Sequence, residues 1–304
     1  MGIIVQVHKY IKEFKNVKPI ISLLASAHRT DLWLDWYKSI GDNQISFEVI
    51  FVGPNKPDFQ LPDNFYFIES HVKPPQCWEI AARRAEGKYL LFLGDDVFFN
   101  LPDYISPDVF TRMRDPSGSP VTDISSFLAG VGYSSTPNPL DTLYTNFLSY
   151  NTEKLMLSCR LVQILTDITR VYDAACHRPS GSYSKEVILP VGFMITADYY
   201  RYLGGCDINF IGLYWDLDLC FRVIEDEGIT KLGNVWLVED TRRSHPTQDN
   251  SLYMTYGIDD REKTLQGLWP MFNIHTEFKR SAILETYIDT NILTESQGPK
   301  GKWI

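Results

Sequence analysis

Two adjacent carboxylates, Asp95 and Asp96, follow an apolar run at 89–93 after a single glycine, Gly94. Carboxylate oxygens at the end of a buried strand suit Mg²⁺ or Mn²⁺, which prefer oxygen ligands and keep positions open for water and phosphate oxygens. Aspartate is also favoured in turns, so the pair alone fits a plain turn as well. The choice between a metal site and a plain turn depends on the other residues that lie near this pair.

A second polar group lies later in the chain, and a compact fold could bring part of it to the acidic pair. It comprises Asp216, Asp218 and His245. Acidic side chains in a first helical turn are favoured by the helix dipole, and Asp218 can pair with Arg222 four residues on. A single histidine in the sequence RRSHP is equally suited to a surface. Taken alone, these residues need no chemical role.

The elements that must position these side chains alternate between strand and helix. Apolar runs predict buried strands at 19–25, 47–52, 65–68 and 89–93. Helical spacing of apolar residues lies between them, and Gly41 and Gly87 mark helix ends. Parallel strands need crossover connections, so this order predicts a mostly parallel α/β sheet flanked by helices. Ligands of such sheets bind outside the carboxyl ends of the strands.

The second half of the chain has a weaker pattern. Clusters of Pro, Ser, Gly and Asn over 101–186 surround a predicted helix near 153–169, and this stretch is interpreted as an insertion. Further elements are predicted as a strand at 187–196, a helix at 216–227 and a strand at 231–238. We expect an N-terminal extension over 1–18 and a C-terminal extension over 247–304.

Charge and composition exclude several classes of protein. The 29 basic and 38 acidic side chains give a formal charge of −9, which disfavours nucleic-acid binding. No run of about 18 apolar residues occurs, so no transmembrane segment is expected. Five cysteines without a CxxC pair, and no apolar leader, favour a cytoplasmic protein. The aromatic content of 13% is expected mainly to fill the core.

Two stretches resemble motifs of the inverting family 2 glycosyltransferases of the GT-A fold. PIISLLASAHR, FEVIFVGPN and AEGKYLLFLGDDV are similar to the family's first strands, its "PTYNR" loop and its "A.GeYilfLDaDd" element. VGFMITADYYRYLGGCDINFIGLYWDLDLCFRV is similar to the acceptor-side signature "G..m.i.r..f..lGGfDe.f.g..eDvDLclR". The resemblance implies one Rossmann-like GT-A domain over 19–246, with a donor half at 19–100 and an acceptor half at 187–246.

The resemblance also implies roles for individual residues. It implies transfer of a sugar from a nucleotide-diphospho-sugar, with a UDP-sugar favoured, to a hydroxyl of a glycan or other glycoconjugate acceptor. Asp216 would be the general base, and Asp96 and His245 would hold Mn²⁺ or Mg²⁺. Donor contacts are implied for Ala25, Ser26, Arg29, Gly53, Asn55 and Asp95, and acceptor contacts for Gly192, Gly205 and Trp215.

The chain departs from the family pattern at several of these places. Gly94 replaces the first aspartate of the metal motif, and Gly53-Pro54 replaces the acidic residue that reads the base. Trp78-Glu79 stands in place of Arg-Asn, and Trp215 in place of a Glu. Two alternatives therefore remain: an inactive GT-A-like protein that binds glycans or nucleotides, and a sugar nucleotidyltransferase. Against the latter, no glycine-rich phosphate loop follows the first strand.

Overall fold

The computed structural model describes residues 18–100, 133–164, 169–172, 192–207, 210, 212, 215–240, 297–298 and 301–302. The strands of its main sheet are β1 (Ile21–Ser26), β2 (Phe47–Gly53), β3 (Phe65–Glu69), β4 (Tyr89–Phe92), β5 (Val97–Phe98), β6 (Leu155–Ile164), β7 (Thr169–Tyr172), β8 (Phe193–Thr196) and β9 (Ile229–Asp240). A short pair, β10 (Gln297–Gly298) and β11 (Gly301–Lys302), is separate from it.

The helices follow the strands in the order expected of an α/β protein. They are a 3₁₀ turn (Thr30–Leu32), α1 (Trp33–Ser39), α2 (Pro74–Arg84), α3 (Pro139–Ser149), α4 (Ala197–Tyr202) and α5 (Trp215–Glu225). The predicted stop at Gly41 is confirmed, because α1 ends at Ser39 and Gly41 has a φ of +68°. Among the described residues, no helix is both long enough and apolar enough to cross a membrane.

The strand order of the sheet is β3-β2-β1-β4-β8-β6-β9-β5, with β7 attached to β6. Strands β1 to β4 pair in parallel, while β8 runs antiparallel to both β4 and β6. Strand β9 is parallel to β6, and β5 pairs antiparallel with β9. The chain thus has the predicted Rossmann-like GT-A fold, with a parallel first half and a mixed second half.

The predicted helix near 153–169 was wrong, because residues 155–164 form β6 inside the sheet. Leu155, Met156 and Leu157 are all fully buried, as in a strand covered on both faces. A short apolar run of this kind does not distinguish a buried strand from a buried helix. The stretch interpreted as an insertion therefore contributes a central strand, preceded by the unpredicted helix α3.

Two apolar clusters cover the two faces of the sheet. Alternate residues of β1 illustrate the division, since Leu23 belongs to one cluster and Leu24 to the other. Helices α1 and α3 pack in the first cluster, and α2, α4 and α5 in the second. Because helices cover both faces, the carboxyl ends of β1, β2 and β4 are left as the edge where polar side chains gather.

Candidate active site

Asp95 is completely buried just beyond β4, and its carboxylate ties this strand to the loop after β1. Oδ2 accepts hydrogen bonds from the backbone N–H groups of His28 (2.7 Å) and Arg29 (2.8 Å). Oδ1 accepts from Arg29 Nη1 at 2.6 Å. Both oxygens are engaged by protein donors, so Asp95 shapes the loop that was expected to hold the donor.

Arg29 places a positive charge between the two carboxylates of the acidic pair. Its Nη1 lies 3.3 Å from Asp96 Oδ2 as well as close to Asp95. Burial by itself would lower the pKa of Arg29, but the charges of Asp96 and Asp95 outweigh it and raise that pKa. The guanidinium therefore stays charged and partly neutralises the acidic pair.

Gly94 makes room for the carboxylate of Asp96. A Cβ atom at position 94 would lie 2.5 Å from Asp96 Oδ1, which is closer than real Cβ contacts. The aspartate that the family motif carries here would therefore require Asp96 to move. The lack of a side chain at Gly94 therefore allows Asp96 to lie beside Arg29.

Three indole N–H groups hold the segment 93–95, which carries the start of the acidic pair. The bonds are Trp78 Nε1 to Leu93 O (3.3 Å), Trp36 Nε1 to Gly94 O (3.2 Å) and Trp33 Nε1 to Asp95 Oδ2 (3.3 Å). Buried indoles usually find such partners. The tryptophans, expected mainly to fill the core, therefore also position the acidic segment.

The loops after β1 and β2 approach each other closely at the same edge. A Cβ on Gly53 would overlap the Ala27 carbonyl oxygen, so the backbone contact leaves no room for a side chain. Asn55 Nδ2 donates to the His28 carbonyl at 2.7 Å. This approach explains physically why Gly53 stands where the family has an acidic residue.

Ala25 and Ser26, the other predicted donor contacts, lie at the end of β1. The side chain of Ala25 is fully buried in the core, so only its backbone is left for a ligand. The Ser26 hydroxyl hydrogen-bonds with the Cys77 thiol. Burial raises the pKa of Cys77 to about 12, so this thiol is a packing group at neutral pH.

Trp215 packs against Trp78 in a tilted arrangement, with ring centroids 4.6 Å apart and an interplanar angle of 32°. It also contacts Phe92 and Phe193, and only 4% of it is exposed. The expected contact of Trp215 with an acceptor stays a prediction, and the structure shows that its ring is covered by other aromatic rings. Trp78 is the partly exposed member of the pair.

Helix α5 places Asp216 in its first turn and buries Asp218 beneath it. The Asp216 side chain is partly exposed, whereas Asp218 is completely buried. Arg222 Nη2 lies 2.9 Å from Asp218 Oδ2, which confirms the predicted pairing, and Arg222 Nη1 donates to Leu203 O at 2.7 Å. Burial would lower the pKa of Arg222, but Asp218 and Asp207 outweigh it and raise that pKa.

The turn after α4 needs both of its glycines. Gly204 and Gly205 have φ values of +91° and +72°, which L side chains rarely adopt. A Cβ on Gly205 would lie 2.7 Å from Glu79 Oε2. Glu79 accepts from Tyr200 Oη at 2.8 Å and from the Cys206 N–H at 3.1 Å, so this buried carboxylate ties α2 to the acceptor half.

The remaining predicted residues are Gly192 and His245. Gly192 is a close-packing position, because a Cβ there would lie 2.6 Å from Leu237 Cδ1 and 2.9 Å from Leu93 Cδ2. Its backbone carbonyl accepts from the Cys159 N–H at 2.6 Å. His245 lies outside the described residues.

Asp96 has the chemistry expected of a ligand to a divalent cation. Its oxygens lie at the carboxyl edge of the sheet, and Mg²⁺ commonly binds through one or two carboxylates together with substrate phosphates. Over the described ranges, no group of three or more His, Cys, Asp or Glu is arranged to hold a metal ion. The Asp96 carboxylate therefore fits the donor chemistry of such a cation.

Sequence reasoning missed Glu239 as a neighbour of this edge. It pairs in register with Val97, the residue after Asp96. Burial lowers the pKa of Arg29, and the charge of Glu239 adds to the larger contributions of Asp96 and Asp95 that raise it. The acidic end of β9 was the available signal in the sequence. The strand pairing that brings it to the acidic pair was not visible in sequence.

Comparison with known proteins gives structural likenesses only. No family model matches the chain, and no curated protein matches it. A crystal structure of residues 1–349 of S. aureus TarS is similar at 11% identity and a TM-score of 0.47. The same TarS segment in complex with UDP is similar at 10% identity and 0.48. Each similarity covers 90% of this chain and 76% of the TarS chain.

Proposed function

We propose that the chain is a glycosyltransferase that moves a sugar from a nucleotide-diphospho-sugar, with a UDP-sugar as the preferred donor, to a hydroxyl of a glycan or glycoconjugate. The proposal includes an inverting, metal-dependent reaction with Asp216 as general base. It rests on the motifs in the sequence, on the GT-A fold and on the arrangement of charged groups at one edge of the sheet.

The observation that carries the proposal is a series of contacts between the acidic segment and the first turn of α5. Trp78 donates to the carbonyl of Leu93, two residues before Asp95, and packs against Trp215, which directly precedes Asp216. The expected base and the acidic pair are therefore linked through two contacting side chains, although Asp96 and Asp216 are 120 positions apart in the sequence. Ligands of open α/β sheets bind at such an edge.

The proposed reaction is a displacement at the anomeric carbon. The acceptor oxygen forms a bond to that carbon while the bond from the carbon to the diphosphate oxygen breaks, and the diphosphate leaves with the electron pair. Asp216 takes the proton of the attacking hydroxyl, for which it must lie within hydrogen-bond reach of it. Attack from the side opposite the leaving group inverts the anomeric centre.

The second requirement of the reaction is stabilisation of the negative charge on the leaving diphosphate. Asp96, with His245, would hold Mn²⁺ or Mg²⁺, which when bound supplies Lewis-acid stabilisation of the leaving diphosphate. Arg29 adds a fixed positive charge beside Asp96. A net-acidic chain needs such cations where it binds a diphosphate, since negative charge develops there during transfer.

A panel assay tests the proposal. UDP-, GDP- and dTDP-sugars are incubated with the protein and a broad glycan acceptor array, with and without Mn²⁺, and nucleotide release and product are followed. Turnover of a donor with formation of the opposite anomer supports the proposal. Donor binding without turnover would instead indicate the inactive binding protein. Pyrophosphate release from a nucleoside triphosphate and a sugar phosphate would indicate the nucleotidyltransferase.

A further inference from the structure

Trp78 contacts both halves of the proposed site. Its indole N–H donates to Leu93 O at 3.3 Å, and its ring lies on Trp215 with centroids 4.6 Å apart. Leu93 belongs to the segment that ends in the acidic pair, and Trp215 begins α5. The Trp78 side chain therefore contacts both the segment after β4 and the start of α5.

The Trp215 ring is well suited to transmit this contact. It is packed against Phe92 of β4 and Phe193 of β8, with centroid distances of 5.7 Å and 6.0 Å. A ring that is held by three aromatic neighbours has few alternative rotamers. The first turn of α5, which carries Asp216, is therefore fixed relative to β4 by aromatic packing.

The residue types in this contact differ from those of the family pattern. Trp78 and Trp215 are two of the places where the sequence departs from the family pattern, which has a basic and an acidic residue there, and the structure brings these two residues into contact.

We propose that Trp78 is a positioning residue that couples the first turn of α5, and hence Asp216, to the acidic segment at the end of β4. This inference builds on the proposed function, because it assigns a positioning role for the proposed base. Trp78 acts through Trp215 and Leu93, not by contact with the reacting atoms.

The test compares W78F, which keeps an aromatic ring but lacks the indole N–H, with W78A, which removes both contacts. W236F is the matched control, since Trp236 is a buried tryptophan of β9 that packs on Arg160 and lies outside this pair. Two indoles in this arrangement couple excitonically and produce a paired band in the circular dichroism spectrum. We expect W78F, W78A and W215F to lose that band and W236F to keep it.

Hydrogen exchange of the peptide that spans α5 reports the coupling without any need for activity. We expect loss of protection in the first turn of α5 in W78A and a smaller loss in W78F, with no change in W236F. In the active enzyme, W78A should lower kcat about 100-fold while donor Kd is retained, because a small misplacement of a reacting group costs about this much.

The outcomes separate this inference from the proposed function. A wild-type protein that turns over no donor overturns the proposed function, while the spectra and the exchange data still decide the coupling. Unchanged α5 protection in both Trp78 variants overturns the coupling, even in an active enzyme. An equal loss of kcat and of donor binding in W78F would also overturn it, because that result assigns Trp78 to donor binding.

Discussion

Arg29 holds both carboxylate oxygens of Asp95, one through its backbone N–H at 2.8 Å and the other through its guanidinium at 2.6 Å. The two residues are 66 positions apart in the chain. This double contact fixes the loop after β1 against the end of β4. It gives Asp95 a structural role in addition to any contact with a donor.

Asp95→Asn should destabilise the protein markedly. The substitution removes a buried charge that accepts several N–H groups and directs an amide N–H₂ at one of those donors, which should cost about 2–4 kcal/mol in the free energy of unfolding. Urea denaturation followed by circular dichroism measures the change. Asp35→Asn is the control, because Asp35 forms an exposed pair with Lys38 and should change stability by about 0.5 kcal/mol or less. Equal effects of the two substitutions would contradict the structural role.

Asp96→Asn should remove the increase in UDP affinity that Mn²⁺ produces. The amide retains the shape of the side chain but loses the charge that a divalent cation requires. Calorimetric titration of UDP with and without Mn²⁺ measures the difference. If the Mn²⁺-dependent gain is the same in wild type and D96N, Asp96 is not a metal ligand.

Asp216→Asn should abolish transfer while donor and Mn²⁺ binding remain. The side chain is partly exposed in the first turn of α5, and the amide cannot accept the proton of an attacking hydroxyl. Initial rates and calorimetric donor titrations on the same preparation provide both measurements. A parallel loss of binding would show that Asp216 acts structurally instead.

Gly205→Ala should be more destabilising than Gly204→Ala. Both positions have positive φ, so each alanine carries a backbone cost of about 1 kcal/mol. At Gly205 the new Cβ would also lie 2.7 Å from Glu79 Oε2, whereas at Gly204 the nearest atom is Arg222 Nη1 at 3.7 Å. Thermal unfolding of the two variants compares them directly, and equal transitions would mean that Glu79 moves freely.

Arg222→Ala should cost about 3–5 kcal/mol of stability, because it leaves the buried carboxylate of Asp218 without its cation. Lys38→Ala removes an exposed cation at a comparable helical spacing and should cost about 0.5 kcal/mol or less. Chemical denaturation of the two variants provides the comparison. A small effect at Arg222 would show that the Asp218–Arg222 pair does not stabilise the folded protein.

Local sequence patterns were enough to predict the first half of the sheet. The apolar runs that became β1, β2, β3 and β4 are bounded by turn residues and alternate with helical spacing, so strand and helix are separated locally. The same rule failed at β6, because an apolar run covered on both faces has no period that identifies it. The order of the sheet's second half depends on pairings among β8, β6 and β9, which are distant in sequence.

Local patterns in the sequence identify the residue types that are available for chemistry: an acidic pair after β4, Asp216 at the start of a helix, and Arg29 after the first strand. Their contacts depend on how the folded chain brings distant segments together. Asp95 is a buried hydrogen-bond acceptor, and the Trp215 ring is covered by Trp78. Glu239 lies beside the acidic pair because β9 pairs with β5. The physical reason is that burial, register and aromatic contacts arise between segments far apart in the chain, which no local pattern encodes.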